Sequence, residues 1–178
     1  MMSLRKIELA KLYSETAEKY RRRYREIQRE KYELVLSILP SKIGRILDVG
    51  CGTGELLLRV ARKADLAIGM DISPGMVKRI PHAVKNVYVV IADADFLPFK
   101  DNSFDCVVSV TLLQNMPDPE TTVKEICRVV RSGGLVILTS LKKKHKEEML
   151  VSWAKSAGFS VEKSGEIGED VYCVCLKK

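Results

Sequence analysis

Residues 46–54 read Ile46-Leu47-Asp48-Val49-Gly50-Cys51-Gly52-Thr53-Gly54. Ile46 and Leu47 suit a buried strand, and Glu55 opens an amphipathic segment, so the glycines fall at a strand-to-helix turn. A ligand can press against bare backbone there, because glycine has no Cβ to block it. The fingerprint that binds dinucleotides puts glycines at positions one, three and six. Counted from Gly50 the sixth position is Glu55, and counted from Gly52 it is Leu57, so both registers fail. Glu55 also places negative charge at a helix start, where a pyrophosphate would need the positive end of the helix dipole. The turn is shaped for a nucleoside without phosphates.

On either side of this turn the periodicity changes. Residues 3–39 have a helical pattern, with Leu9, Tyr13, Ala17, Tyr20, Tyr24 and Ile27 forming one stripe at three-and-four spacing. Leu34, Val35, Ile38 and Leu39 suggest a second helix that stops at Pro40. From Arg45 onward strands and helices alternate, the pattern of a parallel sheet covered on both faces. Strands are expected near 45–50, 66–71, 86–92, 104–110 and 135–140. Ser73 and Pro74 start a short helix, and Asp118-Pro119 caps a longer one that is expected to end near Gly133-Gly134. A last helix spans about 145–157 and stops at Gly158. The tail, 159–176, reads as strand, turn, strand. No helix fits between those two strands, so they must be antiparallel. Residues 1–178 are expected to form a single domain, with 1–40 a helical extension on the substrate side and 41–178 the core.

Four motifs in order give the chain a family resemblance. Asp48-Val49-Gly50-Cys51-Gly52-Thr53-Gly54 resembles motif I of the class I S-adenosylmethionine-dependent methyltransferases. Asp71, ending Ala67-Ile68-Gly69-Met70-Asp71-Ile72-Ser73, matches the acidic residue after the second strand. Asp93, in Ile91-Ala92-Asp93-Ala94-Asp95-Phe96-Leu97, matches the acidic position near adenine. Asn102-Ser103-Phe104-Asp105 leads into the fourth strand, and Arg128–Gly134 matches the turn before the fifth. The resemblance implies a three-layer α/β Rossmann-like fold, with a seven-stranded, mostly parallel sheet and an antiparallel last strand. It implies S-adenosyl-L-methionine as cofactor, with Asp48, Gly50, Cys51, Gly52, Gly54, Asp71, Ile72, Asp93, Ala94, Thr111 and Tyr20 around it. On this reading Asp48 fixes the glycine loop and the amino group of the methionine part. Asp71 accepts from both ribose hydroxyls. Asp93 meets the adenine amino group, with the Ala94 N–H on a ring nitrogen; Asp95 is a close rival. The plainer roles are a turn carboxylate for Asp48, a helix cap for Asp71 and a loop aspartate for Asp93.

The rest of the sequence sets bounds. The chain has 178 residues, 46% of them apolar, and a net charge of +7. No apolar run is long enough for a membrane span, and residues 1–6 lack an apolar signal core, so a cytoplasmic location is expected. The five cysteines fall mostly in core elements and read as reduced thiols rather than metal ligands, with Cys173 and Cys175 on one strand face. Only two Gln and three Asn lean toward a thermophilic source, while five Cys and six Met lean away from it.

The acceptor is less legible. Gln114 and Asn115, ahead of Pro117-Asp118-Pro119, stand where many relatives carry a His pair, which removes an obvious general base. His82 and His145 read as solvated helix-end residues. Methyl transfer from a sulfonium is a direct displacement, so alignment can supply much of the rate. Arg21, Arg25 and Arg29 form a row that reads either as a solvated face or as a contact for RNA phosphates or an acidic protein, to which Lys142, Lys143, Lys144 and Lys146 could add. With no lid segment, the sequence leans toward an RNA or protein acceptor and allows a small zinc-bearing activator. A small-molecule acceptor and a catalytically silent cofactor-binding subunit stay open.

Overall fold

The structure, a computed structural model, describes the backbone of residues 4–81 and 83–178, and the side chains of these except residues 4, 5, 9 and 16–26. Helix α1 (Leu4–Ile38) leads into β1 (Ile43–Val49), α2 (Glu55–Val60), β2 (Ala64–Asp71), α3 (Pro74–Val77) and β3 (Val87–Ile91). Then come β4 (Phe104–Ser109), α4 (Pro119–Val129), β5 (Val130–Leu141), α5 (Glu147–Ser156), β6 (Phe159–Ile167) and β7 (Asp170–Lys177). The sheet order is β3-β2-β1-β4-β5-β7-β6. The pairings from β3 through β5 are parallel, and β7 is antiparallel to both β5 and β6.

Strand residues alternate between two apolar layers, as the pleat requires. Leu47, Val107 and Leu138 face Val123 and Ile126 of α4 and Leu150 of α5. Ile46, Cys106 and Ile137 face Leu56 and Val60 of α2 and Val35 near the end of α1. Both faces are covered, which is why these strands read as continuous apolar runs. Among the described residues, no helix is long and apolar enough to cross a membrane.

Three expectations need correction. The first 38 residues hold one helix through Ile38, not two: no breaker stands before Leu34, and Pro40 ends the run. Its buried face runs through Lys6, Ala10, Gln28, Lys31 and Val35, whereas Ile27 is exposed. Among the described residues, the buried face therefore hides two lysines and a glutamine, while Tyr13 of the expected stripe lines a pocket. Finally, α4 ends at Val129, and Gly133-Gly134 lie inside β5. There Phe104 pairs with Val130 and Cys106 with Leu135, so the intervening residues bulge. A Cβ on Gly134 would lie 2.5 Å from Val130 Cγ2, so the bulge needs a glycine.

The chain runs from β1 outward to β3 and returns to β4, so strand order reverses between β1 and β4. In open α/β sheets, ligands bind beyond the carboxyl ends of the strands at such a reversal.

Candidate functional site

Strand β1 ends in Asp48 and Val49, and the chain turns sharply at Gly50, where φ is +81°. The N–H groups of Gly50 and Cys51 both donate to Met70 O, at 2.7 and 2.9 Å, tying the turn to the end of β2. A Cβ on Gly50 would sit 3.1 Å from Leu112, so the loop after β4 presses directly on this turn. A Cβ on Gly52 would meet nothing within 4 Å, and its φ is +54°. Its bare face opens instead on a pocket at the carboxyl ends of the strands.

Gly50, Gly52, Asp71 and Ile72 form one wall of the pocket, and Ala92, Asp93, Ala94 and Met76 continue it. Thr111, Leu112, Asn115 and Met116 line it from the loop after β4, and Lys6 and Tyr13 from α1. Of the residues expected around the cofactor, Asp48, Cys51 and Gly54 lie behind the lining, and the side chain of Tyr20 is outside the described residues. Among the described residues, Tyr13 of the expected stripe is the tyrosine that lines the pocket.

Asp71 Oδ2 accepts from the Gly52 N–H at 2.9 Å and Oδ1 from the Ser73 N–H at 2.8 Å. The first bond holds the glycine turn; the second fixes Ser73, whose Oγ caps α3 by accepting from the Met76 N–H at 3.3 Å. Ser73 and not Asp71 is thus the cap of α3; Asp71 steadies that cap and also lines the pocket. Burial pushes the Asp71 carboxyl up, against the pull of these N–H groups. Asp48 is buried at the centre of the sheet, opposite Gly69 and Val108. Its Oδ2 has no hydrogen-bond partner among the described residues. Burial, with the nearby charge of Asp71, pushes the Asp48 carboxyl up to about 7, and the Leu57 backbone N–H works against both. Burial and the same two carboxylates hold the Cys51 thiol well above its ordinary range, so it stays protonated. All five cysteines are buried free thiols, with Cys173 and Cys175 Sγ 3.3 Å apart.

At the other end, Lys6 Nζ donates to Asp93 Oδ1 at 2.5 Å and also to Asp95 Oδ2. Asp95 further accepts from Thr122 Oγ1 at 2.5 Å. Asp95 is therefore committed to α1 and α4, while Asp93 lines the pocket. Lys6 is invisible to sequence reasoning, because a lysine on a helix face is read as solvated; only its position on the buried face would have flagged it.

Gln114 and Asn115 part company. Asn115 Nδ2 donates to Tyr13 Oη at 3.1 Å, bridging the loop and α1 at the pocket. Gln114 turns inward: its Nε2 donates to Thr111 O, and its Oε1 accepts from Ser140 Oγ at 3.3 Å. Ser140 Oγ lies 2.8 Å from His145 Nδ1. His145 also packs edge-on to Trp153, with centroids 4.9 Å apart. It is a half-buried brace and not a solvated residue, and burial pushes its pKa down. His82 lies outside the described residues. Arg29 pairs with Glu33 at 2.8 Å and Lys142 with Glu166 at 2.9 Å, whereas the Arg21 and Arg25 side chains are outside the described residues.

A profile of the methyltransferase-domain family matches residues 47–138, more than half of the chain and the stretch that builds this pocket. The chain belongs to the class I S-adenosylmethionine-dependent methyltransferases. It is 33% identical to the chloroplastic 2-methyl-6-phytyl-1,4-hydroquinone methyltransferase 2 of Oryza sativa, a match covering 72% of this chain and 42% of that protein. The chain spans about half the length, or less, of most of the curated relatives it matches. Its fold is similar to a chain in the complex of the Haloferax volcanii Trm112 methyltransferase activator with a methyltransferase: TM-score 0.81, 18% identity, covering 92% of this chain and 96% of that one. It is equally similar to magnesium protoporphyrin IX methyltransferase of Synechocystis with bound S-adenosylmethionine: TM-score 0.80, 19% identity, covering 99% of both.

This methyltransferase pocket fits the family's cofactor. Gly52 offers a cradle that a Cβ would enter, and Asp48 holds an unpartnered buried oxygen. The buried Asp48 and the half-buried Asp71 also favour a positively charged ligand, as a sulfonium with an amino group is, and disfavour a pyrophosphate.

Proposed function

We propose that this chain transfers the methyl group of S-adenosylmethionine to a small, neutral acceptor that enters between α1 and the loop after β4. The hydrogen bond from Asn115 to Tyr13 carries this reading. It roofs the pocket with two uncharged polar groups, supporting an acceptor narrow enough to pass beneath them. Bound S-adenosylmethionine supplies a methyl group on a positively charged sulfur, open to direct displacement.

The chain's residues then have separable roles. Gly52 and the carboxylate of Asp71 hold the ribose end, and Asp93 and the Ala94 N–H face adenine. Asp48 stands behind the turn toward the amino group. Leu112, Met76 and Met116 keep water from the reacting centre. Tyr13 and Asn115 orient the acceptor through hydrogen bonds. No histidine or unshared carboxylate lines the acceptor end among the described residues. The reading therefore needs a nucleophile that is reactive without losing a proton first, and alignment as the main source of rate, worth up to about 7–11 kcal/mol.

A second reading keeps the RNA or protein acceptor expected from sequence, with an activator partner. The likeness to the chain from the Trm112 complex supports it. Arg29 supports it less, because its charge is shared with Glu33.

Labelled methyl transfer into separated metabolite, RNA and protein fractions, with and without a Trm112-type activator, decides between them. Label in small molecules without the activator supports the first reading. Label in RNA or protein supports the second. Tight binding of S-adenosylhomocysteine with no transfer into any fraction would leave a silent cofactor-binding subunit.

A further inference from the structure

We propose that Lys31 is a positioning residue for the donor pocket: through Asp170 it holds Thr111 in the left-handed conformation that sets the loop after β4 against the glycine turn. The proposal rests on the donor-pocket reading of this site.

Thr111 has φ +57°. For a β-branched residue this is a costly conformation, one that persists only where the surroundings over-determine it. Every polar atom of Thr111 is engaged. Its N–H donates to Thr139 Oγ1 at 2.9 Å, and its carbonyl accepts from Gln114 Nε2. Its Oγ1 donates to Asp170 Oδ2 at 2.7 Å and accepts from Lys31 Nζ at 3.1 Å, with Gln28 Oε1 3.3 Å away.

The anchor behind these bonds is a buried ion pair. Lys31 Nζ lies 2.6 Å from Asp170 Oδ1, and the two residues are 1% and 0% exposed. Asp170 Oδ2 also accepts from Thr139 Oγ1 at 2.6 Å. Such a pair is a weak source of stability, because desolvating two charges offsets their attraction. Its value lies in fixing one arrangement. Here it ties α1, β5 and the start of β7 to a single hydroxyl at the pocket wall.

Immediately after Thr111 the loop becomes the pocket wall. Leu112 stands where a Cβ on Gly50 would lie 3.1 Å from it, and Asn115 reaches Tyr13 at 3.1 Å. A turn of Thr111 into the ordinary helical or extended region would redirect both. Lys31 lines no part of the pocket, so it reaches bound ligand indirectly, here through Thr111.

The test uses three variants of the full chain: Lys31→Met with Asp170→Asn, which removes both charges together; Thr111→Val, which keeps the shape and removes the hydroxyl; and Thr111→Ser, which keeps the hydroxyl. Amide hydrogen exchange is followed without ligand, and S-adenosylhomocysteine binding is measured by calorimetry. In the double variant and in Thr111→Val, exchange across 111–116 is expected to rise, with affinity falling about tenfold, the scale of one lost hydrogen bond to a charged group. Exchange in β1 and β2 stays as in the parent, and Thr111→Ser behaves like the parent. Parent-like exchange and affinity in Thr111→Val, or an equal rise across the whole sheet, would overturn the proposal. If the double variant fails to fold, Thr111→Val decides, since the ion pair reaches the loop through that hydroxyl. A parent chain that binds no S-adenosylhomocysteine would instead overturn the donor-pocket reading, while the ligand-free exchange still judges the brace.

Discussion

Both oxygens of Asp71 already accept a backbone N–H, from Gly52 and Ser73. A carboxylate offers about four acceptor sites, so room remains for two ribose hydroxyls. Asp71→Ala is expected to weaken S-adenosylhomocysteine binding by about 1.5–3 kcal/mol. It should also lower the melting temperature of the ligand-free chain, because two N–H groups lose their acceptor; calorimetry measures both. Sequence alone points to a strand-end residue whose loss the fold would ignore, since the spacing of Asp71 does not reveal the turn it fastens. Asp48 supports a pH prediction. Its carboxyl is raised to about 7 in the folded chain, against about 3.9 when unfolded. Between those values the folded state holds the extra proton, so this group's contribution falls as pH climbs through 7. His145, pushed down by burial, works in the opposite direction over part of that range. Subtraction isolates Asp48: from pH 5 to 8 the parent should lose stability relative to Asp48→Asn. A bound cation favours the ionised form, so parent affinity for S-adenosylmethionine should rise over the same window and the asparagine variant should lack that component. Parallel melting curves for the two proteins across this range would contradict the assignment.

Helix α1 is held to the site by close contacts that no periodicity announces. Ser14 Oγ lies 2.8 Å from Ser73 Oγ and accepts from the Gly75 N–H at 3.2 Å. A Cβ on Gly75 would fall 2.6 Å from Ser14 Cα, a backbone atom. Gly75→Ala must therefore push α1 off α3, at a cost of about 1–3 kcal/mol for overpacking. Limited proteolysis should then cut α1 faster than the sheet, and S-adenosylhomocysteine affinity should fall with it; equal cleavage rates in parent and variant would contradict this. The elements themselves are legible wherever composition and period agree: β1 through β4, the Asp118 cap and the antiparallel tail. The errors share a cause. Gly133-Gly134 resembles a helix terminator, yet the pair serves a bulge whose need appears only when β4 lies alongside. Ile27 fits the apolar stripe, yet Gln28 is buried because its partners are polar.

Across the whole molecule, the sheet order and the place of the pocket are set by alternating strands and one glycine turn. The features that escape the sequence are long in range and polar: Lys6 with Asp93, 87 positions apart, and Lys31 with Asp170, 139 apart. A lysine reads as surface until its carboxylate is found. These two pairs also constrain one another. Lys6 and Lys31 belong to one continuous helix, 25 residues apart, which at about 3.6 residues per turn is close to seven whole turns and about 37 Å of rise. Both therefore face the sheet, one beside Asp93 at the pocket and one beneath its far wall. The helix is a ruler with two marks, and its length is fixed in angle as well as in ångströms. Inserting one alanine between Lys11 and Gln28 would swing Lys6 by about 100° away from Asp93 while Lys31 stayed in place. Seven added residues would restore the facing but carry Lys6 about 10 Å too far. Both insertions should weaken S-adenosylhomocysteine binding, whereas replacing one exposed residue of that segment, such as Glu15, by alanine should not. Calorimetry on these three proteins reads the outcome. Surface helices usually tolerate drift in length; this one has no register to spare.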